Sequence, residues 1–148
     1  MAAYNKFNSW VEYLCGAADL FGTGGSTADM LAAYLTNNAP STTADLLVAD
    51  LAGISTGSGY TGPVNLDNVG TRTLGVLTVT AKSFTVTASG GSVGPFQYVP
   101  VMDDTVASDP LVCWFDYGAP ITLASGETFS VLFNSAAVGA NGNLFTVQ

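Results

Sequence analysis

The sequence predicts a mainly β protein, an antiparallel β-sandwich or jelly roll with one short N-terminal helix. From residue 71 onward, segments rich in Thr, Val and Leu recur at near-regular spacing and alternate in part between apolar and polar residues. Gly, Pro and Asn separate these segments, as is typical of antiparallel all-β domains. The chain has 148 residues, the size of one domain. We expect a single domain, with a helix and a glycine-rich loop in residues 1–25 and the sandwich in residues 26–148.

Residues 4–21 are predicted to form a short amphipathic helix. Asn5 is a candidate N-cap, and the Gly-Thr-Gly-Gly-Ser sequence of residues 22–26 is expected to end the helix in a flexible loop. A helix this short is marginal in isolation, so packing must hold it. The apolar residues at helical spacing, which would form a stripe along one face, are Phe7, Trp10, Val11, Leu14 and Ala18.

Three segments lie between this helix and the strongly β-like region. Residues 30–35 contain Met, Leu and Ala, which suit a helix, but the predicted sheets need partner strands and we favour a strand. Residues 44–51 are expected to form a short helical turn. Residues 53–62 are rich in Gly and Ser, which predicts a loop.

Seven strands are predicted beyond residue 71. A break is expected at residues 90–95, where Gly is frequent, and an acidic, turn-rich connection at residues 103–110. Residues 125–127, Ser-Gly-Glu, predict a short hairpin, and Asn141-Gly142 predicts a turn before the last strand. The predicted strands are residues 73–80, 83–88, 96–102, 111–115, 121–124, 128–133 and 144–147.

The charge balance argues against nucleic-acid and membrane partners. Lys6, Arg72 and Lys82 are the basic residues, against eleven acidic ones, for a net charge of −8. Nucleic-acid phosphates and anionic membrane surfaces attract clusters of Lys and Arg, and the sequence contains none. Charged residues make up only 9% of the chain, so the surface must be built largely from small polar residues. Such a surface suits a protein that works inside an assembly.

The sequence offers no recognisable catalytic apparatus. It contains no histidine, so the serines of two G-x-S-x-G matches, Ser55 and Ser92, lack the base that this motif needs. Residues 57–62 match G-x-G-x-x-G, but no strand and helix surround them as in a dinucleotide site. Asp103 and Asp104 are better explained by a solvated turn than by a calcium site. We predict no enzymatic activity, no cofactor and no metal site.

The two cysteines, Cys15 and Cys113, lie far apart in sequence. One disulfide is arithmetically possible, but we favour two small buried apolar residues. The N-terminal residues lack the basic start and apolar core of a signal peptide, and no apolar run approaches the roughly 18 residues that span a bilayer. The chain is expected to be made in the cytoplasm of its host.

Several short sequences along the chain are recognisable in their order and spacing. They are YNKFN at 4–8, YLTNNAP at 34–40, GSGY at 57–60, FDYG at 115–118, ITL at 121–123 and GE at 126–127. Together they resemble small virion proteins of tailed bacteriophages, and the likeness covers most of the chain. Several such proteins are head decoration, or cement, proteins. The resemblance implies a non-enzymatic protein on the outer capsid surface of the virion, with the major capsid protein and other copies of itself, as dimer or trimer, as partners.

Aromatic residues are the candidate interaction sites. The N-terminal stripe has two interpretations: it docks on the capsid or on another copy, or it covers one open end or face of the sandwich. In an extended strand, Trp114 and Asp116 would lie on one face and Phe115 and Tyr117 on the other. Either one aromatic face meets the core and the other meets a partner or a sugar, or these aromatic residues serve only as core. The proposed interaction residues are Tyr4, Phe7, Trp10, Tyr13, Trp114 and Tyr117.

An alternative function is a tail-associated carbohydrate- or receptor-binding β module. It would need aromatic and Asp or Asn side chains gathered at one exposed site. The candidates are Trp114, Asp116, Tyr117 and Asn134. Copy number separates the two functions, because hundreds of copies per particle indicate the shell and far fewer indicate the tail.

Overall fold

The computed structural model describes residues 4–16, 18–20, 28–135 and 137–147. This part of the chain is mainly β, with antiparallel sheets and one short α-helix, which confirms the predicted fold class and is consistent with a β-sandwich. The jelly roll stays a prediction. The elements are β1 (Tyr4–Lys6), α1 (Trp10–Gly16), β2 (Leu31–Ala33), β3 (Val64–Asn65), β4 (Val69–Thr73), β5 (Val76–Lys82), β6 (Phe84–Thr87), β7 (Val93–Asp103), β8 (Leu111–Leu123), β9 (Thr128–Val131) and β10 (Asn141–Val147), with 3₁₀ turns at Val48–Asp50 and Phe133–Ser135.

A five-stranded sheet in the order β1-β8-β7-β2-β3 has apolar side chains buried on both faces. In β2, Leu31 and Ala33 belong to the main core and Ala32 belongs to a second, smaller core on the other face. This division follows from the alternation of side chains along a strand. The 3₁₀ turn and Leu51 pack over the smaller core, together with Phe7.

The second layer consists of two small sheets, β10-β5-β4 and β6-β9. Its strands β5 and β6 are separated only by Ser83, whose backbone N–H donates to the carbonyl of Ala140 at 2.9 Å. The hydroxyl of Ser83 accepts a bond from the N–H of Phe133 at 3.1 Å. One nearly continuous length of chain therefore pairs first with β10 and then with β9. The main core contains side chains from both layers, among them Val79 and Val101.

The N-terminal helix is shorter than predicted, and its first part is a strand. Residues 4–6 form β1, which pairs with β8 at the edge of the large sheet, so Asn5 lies opposite Trp114 and does not cap a helix. The α-helix begins only at Trp10 and ends at Gly16. Pairing with β8 supplies hydrogen bonds that a helical turn at residues 4–6 would have to make locally, and this long-range contact overrides the helical spacing. The loop predicted at residues 22–26 lies outside the described residues.

Several predicted segments are confirmed with small changes at their ends. Residues 31–33 form a strand, as favoured, and residues 48–50 form the expected helical turn. Residues 53–62 form the expected loop, with a tight turn in which Gly57 and Tyr60 exchange two backbone hydrogen bonds of 2.8 Å. The strands predicted at residues 83–88 and 96–102 correspond to β6 and β7.

Two breaks are misplaced in the sequence prediction. The strand predicted at residues 73–80 contains a turn, because Leu74 and Gly75 have φ values of 50° and 84° and connect β4 to β5. Conversely, Gly94 and Pro95 lie inside β7 at a register shift. A β-bulge accommodates residues that would otherwise end a strand.

The pairing predicted around residues 125–127 is wrong. Residues 121–123 continue β8 and pair with β7, whereas β9 pairs with β6. The turn itself exists, but it is bound to the end of β6, since Ala88 donates to the carbonyl of Glu127 at 2.9 Å and accepts from Gly126 at 2.7 Å. The turn predicted at Asn141-Gly142 is also wrong, because both residues belong to β10.

Candidate functional site

A cleft of about 780 Å³ is lined by β9, by β10 and by residues that connect them, with part of the large sheet as its floor. Val99 of β7 and Phe115 of β8 come from that sheet. The volume lies within the range of about 300–1,000 Å³ that is usual for ligand sites. The other lining residues are Tyr4, Tyr117, Phe129, Ser130, Val131, Leu132, Phe133, Asn134, Asn143, Leu144, Phe145 and Thr146.

Aromatic rings surround the cleft because three strands direct them to the same side. Tyr4 lies opposite Phe115 in the β1–β8 pair, and their ring centroids are 6.0 Å apart. Tyr117 is two residues further along β8, so its side chain lies on the same face as Phe115. The ring of Tyr117 meets Phe129 of β9 edge-on at 5.7 Å. Tyr4 is 40% exposed and Tyr117 is 57% exposed, so both rings are accessible to a partner.

The β9 wall of the cleft is an open strand edge. The hydrogen bonds between Ala88 and Glu127 continue the register of the β6–β9 ladder, in which Val86 faces Phe129. In an antiparallel ladder, hydrogen-bonded pairs alternate with pairs whose backbone groups point outward. The N–H and carbonyl groups of Ser130 therefore point away from β6. Among the described strands, β9 pairs only with β6, so this edge is unpaired.

The β10 wall is a second open edge. The hydrogen bond from the Ser83 N–H to the Ala140 carbonyl shows which residues of β10 direct their backbone groups toward β5. A register shift after Asn143 then places Phe145 opposite Val79. The backbone groups of Asn143 and Thr146 consequently point away from β5. Within the described part of the chain, β10 pairs with β5 alone. Residues of both unpaired strand edges thus line one apolar cleft.

The cleft offers neutral polar groups and apolar surface. Its lining contains no carboxylate, thiol, imidazole or cationic side chain, and its ionisable groups are the phenols of Tyr4 and Tyr117. Burial raises the pKa of Tyr4, and Cys113 nearby raises it further, so this phenol stays protonated at neutral pH. The arrangement can bind a neutral or apolar partner.

The structure divides the six sequence-predicted interaction residues between surface and core. Tyr4 and Tyr117 line the cleft. Phe7, Trp10 and Trp114 are 0%, 1% and 8% exposed, respectively, and the rings of Phe7 and Trp114 pack at 4.6 Å in the smaller core. The side chain of Tyr13, on α1, is half-buried against the main core.

The candidate sugar-binding residues are also split. Tyr117 and Asn134 both line the cleft. Strand alternation places Trp114 and Asp116 on the other face of β8, and Asp116 there accepts bonds from the side chain of Gln97 at 2.9 Å and the N–H of Gly118 at 2.7 Å. The sequence analysis missed Phe129 and Phe145, although both lie in apolar segments of predicted strands.

The two serine motifs come together beside a smaller groove of about 430 Å³. Ser55 and Ser92 both line it, and its other lining residues are uncharged. The glycines of the G-x-G-x-x-G sequence allow close packing: a side chain at Gly59 would collide with the carbonyl of Thr87. These loops therefore pack against each other.

Asp103 is buried, which differs from the solvated turn predicted for Asp103 and Asp104. Its side chain is 0% exposed, and one carboxyl oxygen accepts bonds from the N–H groups of Thr105 and Val106, at 3.0 and 3.3 Å. The other oxygen is buried without a partner. Burial raises the pKa of Asp103, and the neighbouring carboxylate of Asp29 adds to this effect. Within the described residues, no group of three or more His, Cys, Asp or Glu could hold a metal.

Replacing Asp103 with Asn should change the pH dependence of stability. A raised pKa means that the folded state binds the proton more tightly, so Asp103 destabilises the fold as pH rises from its ordinary value of 3.8 to the folded-state value. Asp103→Asn keeps the acceptor for Thr105 and Val106. Over that pH range, the free energy of unfolding of wild type should fall relative to that of Asp103→Asn. Parallel pH profiles from urea unfolding would contradict this expectation.

The two cysteines are free, and only Cys113 is buried. Burial raises the pKa of the Cys113 thiol, as expected for an inert core residue. Cys15, on α1, is exposed, so the prediction of two buried cysteines is wrong for this residue.

No protein-family model, curated protein or solved structure matches this chain. The likeness to phage virion proteins stays a prediction from the short sequences quoted above. Among the described helices, none is both long and apolar enough to span a membrane.

Proposed function

We propose that this chain is a non-enzymatic structural protein of a tailed bacteriophage, a decoration protein that binds the outer face of the major capsid protein and stabilises the shell. The observation that supports a docking role is the uncharged, aromatic-lined cleft with exposed rings of Tyr4 and Tyr117. Exposed aromatic residues beside an apolar depression are typical of protein interfaces. Many copies on a symmetric shell would bind weakly one by one and strongly together.

A decoration role also fits the surface charge. The net charge of −8 and the scarcity of basic residues suit the outside of a particle that contains nucleic acid, because the interior would favour basic surfaces. Binding only to the assembled lattice would stabilise the shell by mass action.

A second candidate, carbohydrate or receptor binding in the tail, is favoured by one specific observation. Tyr117 and Asn134 line the same cleft, so an aromatic ring and an amide lie in one depression. Such a module would be present in far fewer copies per particle than a decoration protein.

The decoration role predicts hundreds of copies in purified particles and a specific loss of binding in Tyr117→Ala. Because Tyr117 is 57% exposed, its removal should leave the melting temperature nearly unchanged. An interface anchor of this kind contributes about 2 kcal/mol or more, so affinity for particles stripped of the protein should fall roughly 30-fold. Quantitative mass spectrometry and a sedimentation assay measure the two quantities.

A matched control is Leu74→Asn, at the 98%-exposed tip of the β4–β5 turn and outside the cleft lining. This variant should bind particles as wild type does. A copy number of a few dozen would reject the decoration role in favour of the tail. Undiminished binding by Tyr117→Ala would show that the cleft is not the docking surface.

A further inference from the structure

We propose that Asp29 and Asp103 form a binding site for a calcium ion at one end of the large sheet, where β2 pairs with β7. The inference goes beyond the proposed function and does not depend on where the protein acts. It replaces the expectation from the sequence that the chain has no metal site. The pairing that brings Asp29 to Asp103, and the burial of Asp103, are visible only in the folded chain.

The strand pairing places the two carboxylates on the same face of the large sheet. Asp103 of β7 lies opposite Leu31 of β2, whose side chain belongs to the main core. The ladder continues one residue beyond β2, since the N–H of Asp104 donates to the carbonyl of Met30 at 2.9 Å. Asp29 is two residues before Leu31 and is therefore a diagonal neighbour of Asp103 on that face. Such neighbours are about 7–8 Å apart, and a calcium ion with ligand distances of about 2.3–2.6 Å fits between two carboxylates at that separation.

One carboxyl oxygen of Asp103 is buried and accepts no hydrogen bond. The side chain is 0% exposed, and one of its oxygens accepts bonds from the backbone N–H groups of Thr105 and Val106. The other oxygen, Oδ2, has no partner in the described part of the chain. A buried polar atom without a partner is costly, and a bound water or ion is a common explanation for it. The Oδ2 atom therefore points to a ligand at this position.

No basic side chain compensates the two carboxylates. All three basic side chains lie within the described residues, and the ion pair seen there joins Lys82 to Asp67 at 2.8 Å. Burial raises the pKa of Asp103, and the carboxylate of Asp29 raises it further, so the two groups are close enough to repel each other. Buried charges in proteins are usually paired or bind metal ions. A calcium ion between Asp29 and Asp103 would supply the missing positive charge.

The ligand chemistry of the site suits calcium. This ion takes about six to eight oxygen ligands, in flexible geometry, from carboxylates, backbone carbonyls and water. Asp29 is 7% exposed, and its neighbours in the ladder, Met30 and Asp104, are exposed, so the site lies just below the surface and water can complete the shell. Two carboxylates are few for a calcium site. We therefore expect a dissociation constant in the weak range of about 0.1–1 mM.

The test measures calcium binding by the whole chain, after treatment with EDTA and removal of the chelator. Calorimetric titration with calcium chloride at constant ionic strength should show one site with a dissociation constant of about 0.1–1 mM. At about 10 mM calcium, the melting temperature should rise by roughly 4–8 °C, because the ion binds the folded state and not the unfolded chain. Magnesium at the same concentration should give a smaller rise, because it gives up its bound water reluctantly.

Two variants remove one charge each from the site and keep the size of the side chain. Asp103→Asn keeps the acceptor for Thr105 and Val106, and Asp29→Asn keeps the acceptor for the N–H of Asp19. Each should bind calcium at least about tenfold more weakly and lose most of the rise in melting temperature. Glu12→Gln is the matched control, because it removes the same charge at an exposed position of α1. It should bind calcium as wild type does.

Each outcome decides for or against the site. One saturable site that is weakened in both Asp103→Asn and Asp29→Asn and kept in Glu12→Gln supports the inference. Wild-type affinity in either aspartate variant, or no saturable binding by wild type up to about 10 mM calcium, overturns it. A rise in melting temperature that all three variants share would reflect screening of the net charge of −8 and would also overturn it. If one aspartate variant does not fold, the wild-type titration and the other variant decide the question.

Discussion

Trp10→Ala should reduce the free energy of unfolding by about 3–5 kcal/mol, the usual cost of deleting a buried large aromatic side chain. Trp10 is 1% exposed, belongs to the main core and meets the ring of Phe145 edge-on at 6.5 Å. A chain of this size should lose roughly 10 °C or more in melting temperature. Calorimetry or urea unfolding of the isolated chain measures both quantities. This effect would identify the helix as part of the core.

Two neighbouring variants sharpen the Trp10 experiment. Val11→Ala truncates the next residue of α1, which is 46% exposed, and should change stability by no more than about 0.5 kcal/mol. Trp10→Phe keeps most of the apolar volume and loses no hydrogen bond, because the indole N–H has no partner, so its cost should be well below that of Trp10→Ala. A Trp10→Ala chain that melts like wild type would contradict the burial seen here.

Gly142→Ala should be the most damaging single-methyl change, at about 3 kcal/mol or more, the upper end of overpacking costs. Gly142 is buried in β10, and a methyl group there would overlap the backbone carbonyl of Phe133. Backbone atoms cannot rotate away as a side chain can, so β10 or the 3₁₀ turn would have to move. Because these two elements form one end of the cleft, Gly142→Ala should also weaken particle binding. Thermal unfolding and the sedimentation assay measure these effects.

Gly16→Ala is the control for the Gly142 experiment. A methyl group at Gly16 meets no atom within 4 Å, and this residue ends α1 at the surface. Its stability should stay within about 0.5 kcal/mol of wild type. Equal stability of the two variants would mean that β10 and the 3₁₀ turn are not held against each other in solution.

The sequence predicts the class of the fold better than it predicts which strands pair with each other. Alternation of Thr with apolar residues locates β6, since this local signal depends on one strand at a time. The partner of a strand is a long-range property, so the hairpin assigned to residues 121–133 is wrong even though its turn forms. Residues 4–6 show the same limit: they are predicted as the start of a helix because they precede the apolar stripe that begins at Phe7, but β8 offers them a sheet edge.

The candidate site is predicted only in part, for a related reason. Tyr4 and Tyr117 are recognisable in the sequence as candidate aromatic residues. No local sequence signal predicts that β1, which carries Tyr4, pairs with β8, which carries Tyr117. Burial of Phe7 and Trp114 depends on a second core behind the large sheet, which a simple two-layer sandwich would lack. The outward direction of the backbone groups of Ser130 and Thr146 follows from the registers of the β6–β9 and β5–β10 pairs. The sequence does not predict these pairs, so it cannot predict the open edges.

The pairing of β1 with β8 also has a consequence for the order in which the chain folds. Tyr4 meets Phe115, so one edge of the large sheet joins residues very distant in sequence. Closing so long a loop costs entropy before any contact compensates for it, and folds rich in such contacts form slowly. The β4–β5 hairpin, joined at Leu74 and Gly75, is local and can form early. During synthesis, β1 therefore stays unpaired until most of the chain, including β8, has left the ribosome. Until then, Tyr4 cannot pack against Phe115, and this part of the apolar floor of the cleft stays exposed.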